Sequence, residues 1–228
     1  MATYLFAHSY RVLALHFHWM DHPDERSAHR TPTPTAAGLS FVIVFFLALS
    51  WMFSQGGIAT DILYACLGPL FIALVGFRDD LKSLPVIVRA SAHFLAGAWC
   101  IYWIGFPELN IQGVMFDLGF AGLVFGMIAL VWLLNVYNFM DGIDGLAAGE
   151  AVFVCLGVLL VGGWQTAEGW NAIVLILLGV SLGFLIINWP TARVFMGDIG
   201  SGFLGLMLGV FALAHEAVSV WYWVILLG

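Results

Sequence analysis

Residues 36–54 read AAGLSFVIVFFLALSWMFS, an uninterrupted apolar stretch about as long as an α-helix must be to cross a lipid bilayer. Further apolar stretches follow at 59–77, 86–106, 119–137, 146–163, 170–188 and 202–214, and a partial one begins at 219. None of them alternates strictly between apolar and polar residues, as a membrane-spanning strand would. The sequence therefore predicts an all-α polytopic membrane protein with about seven full transmembrane helices and partial spans at both ends.

The composition favours the same fold class. Of the 228 residues, 62% are hydrophobic and 9% are charged, and the mean hydropathy is +1.00. Soluble domains carry about 25% charged residues, so a water-soluble globule is excluded. Nucleic acid is excluded as a partner because only 7 Lys and Arg residues stand against 14 Asp and Glu residues. Cys66, Cys100 and Cys155 lie inside apolar stretches without a CxxC spacing, and we expect them to be packing residues.

The connections between the apolar stretches form two alternating sets. One set contains residues 21–36, 78–85, 138–145 and 189–201. The other set contains residues 56–58, 107–118, 164–169 and 215–218. Lys and Arg occur in the first set and not in the second, so the positive-inside bias predicts that the first set is cytoplasmic. We expect Arg11 at or near the cytoplasmic end of a first span that is mostly absent.

One connection carries a dense acidic motif, NFMDGIDGLA, at residues 138–147. If a helix begins here, Asp141 and Asp144 share one face with their Cβ atoms about 5–6 Å apart, and a cation between them would relieve their repulsion. The alternative is an ordinary helix start, with Asp141 as the N-cap and Asp144 in the first turn.

Acidic residues recur on the same side of the chain. Asp79 and Asp80 end one apolar stretch, and Asp198 in FMGDIGS directly precedes another. Carboxylates at the ends of three spans favour a shared site for a hard cation, Mg²⁺ or Mn²⁺. The glycine-bracketed helix starts at 142–145 and 197–202 also offer N–H groups to phosphates. These features predict a membrane-embedded site for a metal and a phosphorylated ligand.

His93, inside a span, is expected to be packed and hydrogen-bonded, although an ionisable group at that depth merits a test.

The motifs GFRDDL, NFMDGIDGLA and FMGDIGSG, in this order, resemble those of the polyprenyl-phosphate N-acetylhexosamine-1-phosphate transferases, glycosyltransferase family 4. The loop DHPDERSAHRTPTP resembles the undecaprenyl-phosphate GlcNAc-1-phosphate transferase and O-antigen initiating branch more than the peptidoglycan branch. The resemblance covers about residues 11–228.

The resemblance implies a reaction. N-acetylhexosamine 1-phosphate would pass from a UDP-sugar to undecaprenyl phosphate, releasing UMP and starting O-antigen or other envelope polysaccharide synthesis. It implies an Mg²⁺-dependent phosphotransferase, with Mn²⁺ as the alternative cofactor, in a bacterial inner membrane with its active site at the cytoplasmic face. The partners would be the UDP-N-acetylhexosamine, the polyprenyl phosphate and the lipid bilayer, and a homodimer is left open.

The resemblance also implies three groups of site residues. Catalytic roles fall on the carboxylates of Asp79, Asp80, Asp141 and Asp144. Metal binding falls on Asp198 and Asp79, and one member of the 79–80 pair would deprotonate the attacking phosphate. Substrate binding falls on Asn138, Gly142, His29 and Arg30.

Against this family, the chain is expected to form a single transmembrane domain over residues 1–228 that lacks the first span and the C-terminal spans. Two alternatives stay open: an inactive truncated member of the family, and a fragment of a cation-coupled membrane transporter. A transporter would need ionisable groups near the midplane of several spans, whereas the acids here gather at one face. The sugar carried by the nucleotide is not fixed by these motifs.

Overall fold

The computed structural model describes residues 1–21, 31–105, 108–111, 114–161 and 169–214. Within these ranges it contains helices α1 Ala2–Phe17, α2 Leu39–Ser54, α3 Thr60–Ala65, α4 Leu67–Leu81, α5 Val86–Ile104, α6 Gly119–Met140, α7 Leu146–Val161, α8 Trp170–Asn188 and α9 Gly197–Ala214. Two short antiparallel pairs join β1 Met20–Asp21 to β2 Thr33–Pro34, and β3 Glu108–Ile111 to β4 Val114–Asp117. The predicted all-α polytopic membrane class is confirmed.

Five helical segments are long and apolar enough to cross a membrane: Thr60–Leu81, Val86–Ile104, Gly119–Met140, Trp170–Asn188 and Gly197–Ala214. The other two predicted spans are helical as well: α2 and α7, with 16 described residues each, are shorter apolar helices.

The first helix differs from the expectation for Arg11. Instead of ending near Arg11, α1 continues to Phe17. Its buried face consists of Thr3, Ala7, Tyr10 and Ala14, at helical spacing, and packs against α2 and α8. Arg11 therefore lies within a helix of 16 residues and does not mark its end.

The predicted span at 59–77 is a broken helix that continues further than expected. Pro69 has no N–H to donate and its ring would clash with the carbonyl four residues earlier, so the helix breaks between α3 and α4. The Ala65 carbonyl accepts a weak hydrogen bond from the Cys100 thiol, 3.5 Å away. The second half then runs to Leu81, which places Asp79 and Asp80 on the last turn of α4 and not in a loop. All three cysteines are buried free thiols, as expected.

Helix α9 lies at the centre of the bundle and packs mainly against α4 and α6. Its residues from Ile199 to Phe211 are buried. Glycines allow the close approach on both sides. A Cβ at Gly76 of α4 would lie 2.5 Å from the Asp198 carbonyl carbon, and one at Gly205 of α9 would lie 2.7 Å from the Leu134 Cα. The α9 backbone therefore lies close to α4 at its start and close to α6 about two turns further along.

We predict that Gly76→Ala destabilises the protein, because the added methyl group meets rigid α9 backbone and not a flexible side chain. Overpacking of this kind costs about 1–3 kcal/mol. The melting temperature of the detergent-solubilised protein should fall. Gly179→Ala on α8 is the matched control, since a Cβ there meets nothing within 4 Å. A Gly76→Ala protein that melts at or above the wild-type temperature would contradict this packing.

Candidate functional site at the start of helix α9

Connections predicted to share one face do meet at one end of the bundle. The Phe195 N–H donates to the Pro34 carbonyl at 2.8 Å, and the Ala37 N–H donates back to the Phe195 carbonyl at 3.0 Å. The Gly38 N–H reaches the Met196 carbonyl at 2.8 Å. The segment after β2 is thus hydrogen-bonded to the connection between α8 and α9. The cytoplasmic location of this end stays a prediction.

Two carboxylates from other helices hold the N-terminus of α9. Asp80 accepts hydrogen bonds from the N–H groups of Asp198 at 2.8 Å and Ile199 at 3.1 Å. Asp141 accepts one from the Gly197 N–H at 2.8 Å. The first N–H groups of a helix have no partner within the helix and carry partial positive charge, so negative side chains are stabilising there. These bonds tie α4, the end of α6 and α9 together at one point.

This arrangement corrects the expectation that the two glycine-bracketed helix starts offer N–H groups to phosphates. At the start of α9 the donors are taken by Asp80 and Asp141. In the other segment, the Gly145 N–H donates to the Asn188 side chain at 3.0 Å, and the exposed Gly142 donates to the Phe139 carbonyl at 3.3 Å. Protein acceptors occupy these positions.

Asp141 and Asp144 do not lie in a helical first turn, as both the shared-face and the helix-start interpretations of the sequence expected. Helix α6 runs to Met140 and α7 begins at Leu146, so both acids lie in the turn between the helices and not in a first helical turn. Asp141 bonds to Gly197, whereas Asp144 accepts from the Ala192 N–H at 2.9 Å. Each acid therefore fixes a different part of the 189–197 connection.

Asn188 is a residue of this region that the sequence analysis missed. It is buried, its side-chain oxygen accepts from Gly145, and its amide nitrogen donates to the Val194 carbonyl at 3.0 Å. The signal available in the sequence was an amide at the end of an apolar stretch, directly before Trp189-Pro190. It links the α6–α7 turn to the connection before α9.

Asp79 and Asp198 form the part of the cluster that lines a cavity. Their carboxylates are within hydrogen-bonding reach of each other. The Asn138 amide donates to Asp198 Oδ1 and, at 3.2 Å, to Ser201 Oγ. Asp79 accepts from the Leu84 N–H and is nearly covered, with 7% of its side chain exposed, whereas Asp198 retains 31%. Two carboxylates this close need a proton or a cation between them or beside them.

Arg89 supplies such a positive charge, although the sequence motifs gave it no role in the site. Its guanidinium lies 2.9 Å from Asp79 Oδ2 and 3.7 Å from Asp198 Oδ2. The side chain comes from the first turn of α5 and is 39% exposed. An arginine one turn inside an apolar stretch was the available signal, since a charge at that position requires a partner.

The side chains of the cluster offer a partial set of ligands for the expected Mg²⁺. Among the described residues, no group of three or more His, Cys, Asp and Glu side chains is close enough to hold a metal by itself. Mg²⁺, however, is usually bound by one or two carboxylates and completes its shell with water and substrate phosphates. Asp79, Asp198 and the Asn138 amide oxygen match that pattern. Metal binding at this position stays a prediction.

A cavity of about 270 Å³ opens from this polar cluster and runs between α4, α5, α6 and α9. Its polar end is formed by Asp79, Arg89, Asn138 and Asp198. Its deeper walls are mostly apolar and include Ile72, Val75, Val131 and Leu134. Large exposed apolar side chains, Val86, Phe94 and Phe139, lie along the rim. The cavity is a groove with a charged end and an apolar interior.

The remaining predicted site residues, His29 and Arg30, lie outside the described residues. The structure brings together the other predicted groups, Asp79, Asp80, Asn138, Asp141 and Asp198, within one cluster. Asp144 and Gly142 lie in the adjoining turn. Their catalytic and binding roles stay predictions.

Residues 62–216 match the family model described as glycosyl transferase family 4. The chain belongs to this family. It is 29% identical over 229 residues to the decaprenyl-phosphate N-acetylglucosaminephosphotransferase of Mycolicibacterium smegmatis, covering 91% of this chain and 56% of that protein. It is 33% identical over 215 residues to the phospho-N-acetylmuramoyl-pentapeptide-transferase of Chlamydia trachomatis serovar L2, covering 81% of this chain and 61% of that protein.

A third relative, the phospho-N-acetylmuramoyl-pentapeptide-transferase of Kosmotoga olearia, is 32% identical over 199 residues, which cover 79% of this chain and 59% of that protein. The chain thus spans between 56% and 61% of the length of these relatives. The family resemblance found in the sequence is confirmed. Both named branches occur among the relatives, so the preference for the GlcNAc and O-antigen branch stays a prediction.

Asp141, one of the two carboxylates that hold the start of α9, has an altered pKa. Burial raises the pKa of Asp141 from 3.8 to about 7, and the nearby charge of Asp198 adds to the increase. The hydrogen bond from the Gly197 N–H acts in the opposite direction. A folded-state pKa above the unfolded value means that the ionised carboxylate destabilises the folded protein. This penalty is complete above about pH 7 and shrinks as the pH falls toward 4.

We therefore predict that Asp141→Asn raises the melting temperature at pH 8 in EDTA, because asparagine keeps an oxygen acceptor for Gly197 and removes the charge. The gain should be smaller at pH 5. Asp61→Asn, the same carboxylate-to-amide change at an exposed position of α3, is the matched control. A variant that melts below the wild type at pH 8 would show that the ionised carboxylate stabilises the fold.

Proposed function

We propose that this chain forms the metal- and acceptor-binding part of a membrane phosphotransferase. In the reaction, N-acetylhexosamine 1-phosphate moves from a UDP-sugar to a polyprenyl phosphate at the cytoplasmic face of a bacterial inner membrane. The product would start O-antigen or another envelope polysaccharide. The observation that carries the proposal is the groove, which joins a cluster of two carboxylates and an arginine to an apolar channel between four helices.

The groove matches the chemistry of a lipid phosphate. A polyprenyl chain is apolar and is soluble in the bilayer, so it requires an apolar wall with a side opening to lipid. Exposed Phe94 and Phe139 on the rim provide such a border. The phosphate requires positive charge, and Arg89 lies at the polar end of the same cavity. A purely water-soluble acceptor would have no use for the apolar channel.

Asp79, Asp198 and Asn138 are the residues that would hold Mg²⁺. When bound, Mg²⁺ neutralises charge on the diphosphate. Asn138 fixes the orientation of Asp198 by donating to its Oδ1. Asp80 and Asp141 act one step away, because they hold the backbone from which Asp198 projects. The catalytic assignments of Asp80 and Asp141 thus become positioning roles in this proposal.

The reaction exchanges one phosphoanhydride bond for another. An oxygen of the lipid phosphate bonds to the phosphorus that carries the sugar, and the bridge from that phosphorus to the uridine-linked phosphorus breaks to release UMP. A phosphate monoester carries roughly −1.5 to −2 charges at pH 7, so little deprotonation of the nucleophile is required. Any proton left on the nucleophile passes to the surrounding water, because the Asp79 carboxylate is already bound by Arg89 and Asp198. Catalysis is then mostly positioning and charge neutralisation.

The proposal predicts that Asp198→Asn lowers the rate of UMP release at least 100-fold, because the carboxamide keeps the shape of the side chain and loses its charge. Altered groups beside a metal already cost about 10–100-fold. The assay combines UDP-GlcNAc or another UDP-N-acetylhexosamine, undecaprenyl phosphate and Mg²⁺ with the whole protein encoded by the gene. Asp61→Asn on α3 is the matched control and should keep wild-type turnover. Absence of UMP release with every UDP-N-acetylhexosamine tested would overturn the proposed reaction.

The proposed sidedness gives a separate prediction. A cysteine introduced at exposed Lys82, next to the site, should react with a membrane-impermeant maleimide only after the cells are permeabilised. A cysteine at exposed Gly57, between α2 and α3, should react in intact cells. The native cysteines are buried and give the background. Labelling of both positions from the same side would contradict the topology.

A further inference from the structure

The groove contains polar side chains at two depths. The proposed metal site uses only the first level, which consists of Asp79, Arg89, Asn138 and Asp198. The residues that line the cavity include two further polar side chains, His93 of α5 and Asn135 of α6. We propose that His93 and Asn135 bind the acceptor's phosphate group and thereby select a lipid phosphate over the corresponding lipid alcohol. The inference rests on the proposed function, since it concerns the acceptor of that reaction.

Helix periodicity places both residues below the carboxylate level. On α5, His93 follows Arg89 by four residues, and both line the cavity. On α6, Asn135 precedes Asn138 by three residues, and both line the cavity as well. At 1.5 Å per residue, these steps correspond to about 4.5–6 Å along the helix axes, in the direction away from the site-bearing end. The two side chains thus occupy the next turn of two neighbouring helices.

The surroundings of this second level are apolar. The cavity walls at and below it are provided by Ile72, Val75, Val131 and Leu134. A polar side chain at membrane depth is costly unless it finds a hydrogen-bond partner. Asn135 donates one amide N–H to the Val131 carbonyl at 2.6 Å, which anchors the side chain and leaves its second N–H for another acceptor. His93 is half-buried and contributes a ring N–H.

The carboxylate level by itself supplies too few donors for the whole phosphate group. In the proposed function Mg²⁺ would offset the charge of Asp79 and Asp198, and the Arg89 guanidinium already lies beside both carboxylates. A phosphate monoester presents three outer oxygens, of which one must face the donor substrate. The other two require donors that carry no negative charge. His93 and Asn135 are the residues lining the next turn of the groove that meet this requirement.

A lipid alcohol carries a single hydroxyl and leaves these donors without their full set of acceptors. A site built to hydrogen-bond a group rejects an analogue that lacks it, because its buried polar atoms remain unpaired. The pair therefore acts as a specificity determinant for the phosphate. The inference assigns the pair to the acceptor and not to the nucleotide, so we expect the affinity for the UDP-sugar not to depend on it.

The test measures binding of farnesyl monophosphate and farnesol to the full-length protein in detergent with Mg²⁺. Wild type should bind the phosphate at least tenfold more tightly than the alcohol. His93→Leu and Asn135→Leu should each weaken binding of the phosphate about 10- to 100-fold, the range expected for a hydrogen bond to a charged group. Farnesol and UDP-GlcNAc affinities should change less than threefold. His93→Gln, which retains an N–H donor, should restore most of the phosphate affinity, and His8→Leu on α1 is the matched control.

The outcomes separate this inference from the function on which it rests. If wild type binds farnesyl monophosphate and turns over undecaprenyl phosphate while both leucine variants bind the phosphate normally, the His93–Asn135 site is wrong and the proposed reaction stands. If the leucine variants weaken phosphate and alcohol alike, the residues only shape the groove, and the inference is also overturned. If wild type binds neither farnesyl monophosphate nor undecaprenyl phosphate, the proposed function fails together with the inference.

Discussion

The hydrogen bonds between two carboxylates and the first N–H groups of α9 determine the geometry of the site. Asp80 and Asp141 come from the ends of α4 and α6, and they meet Gly197, Asp198 and Ile199 at distances of 2.8 to 3.1 Å. The carboxylates thereby complement both the unpaired donors and the positive end of the helix dipole. The groove follows from this junction, since two of its four walls are α4 and α9.

The junction divides the acids of each motif between two tasks. In the 79–80 pair, Asp80 bonds to α9 while Asp79 turns toward Arg89 and Asp198. In the α6–α7 turn, Asp141 bonds to the start of α9 and Asp144 to the connection before it. Acidic residues that look equivalent in a motif are therefore distinct in the fold. The acids that the sequence suggested as one cluster of metal ligands therefore include two, Asp80 and Asp141, that clamp the start of α9, the helix that carries Asp198.

The sequence predicted the positions of the helices well, but it did not predict which side chains bond to which helices. Apolar length is a local property, so the stretches at 86–106, 119–137 and 170–188 correspond closely to α5, α6 and α8. The bonds of Asp80 to α9, in contrast, connect residues 118 and 119 positions apart in the chain, and no periodicity in the sequence indicates that pairing. The same limit hid Arg89 and Asn188, whose roles depend on which helices are neighbours. The motif at residues 138–147 indicated the region of the site correctly, but its two acids lie in a turn and not at a helix start.

The clamp on α9 has a consequence for biosynthesis. Helices enter the membrane in the order in which they are translated, and α4 and α6 both precede α9. Until residues 197–199 have been made and inserted, the Asp80 and Asp141 carboxylates have no backbone donors from α9 and face the edge of the bilayer uncompensated. Docking of α9 is then the step that converts a loose set of helices into a bundle with a defined groove.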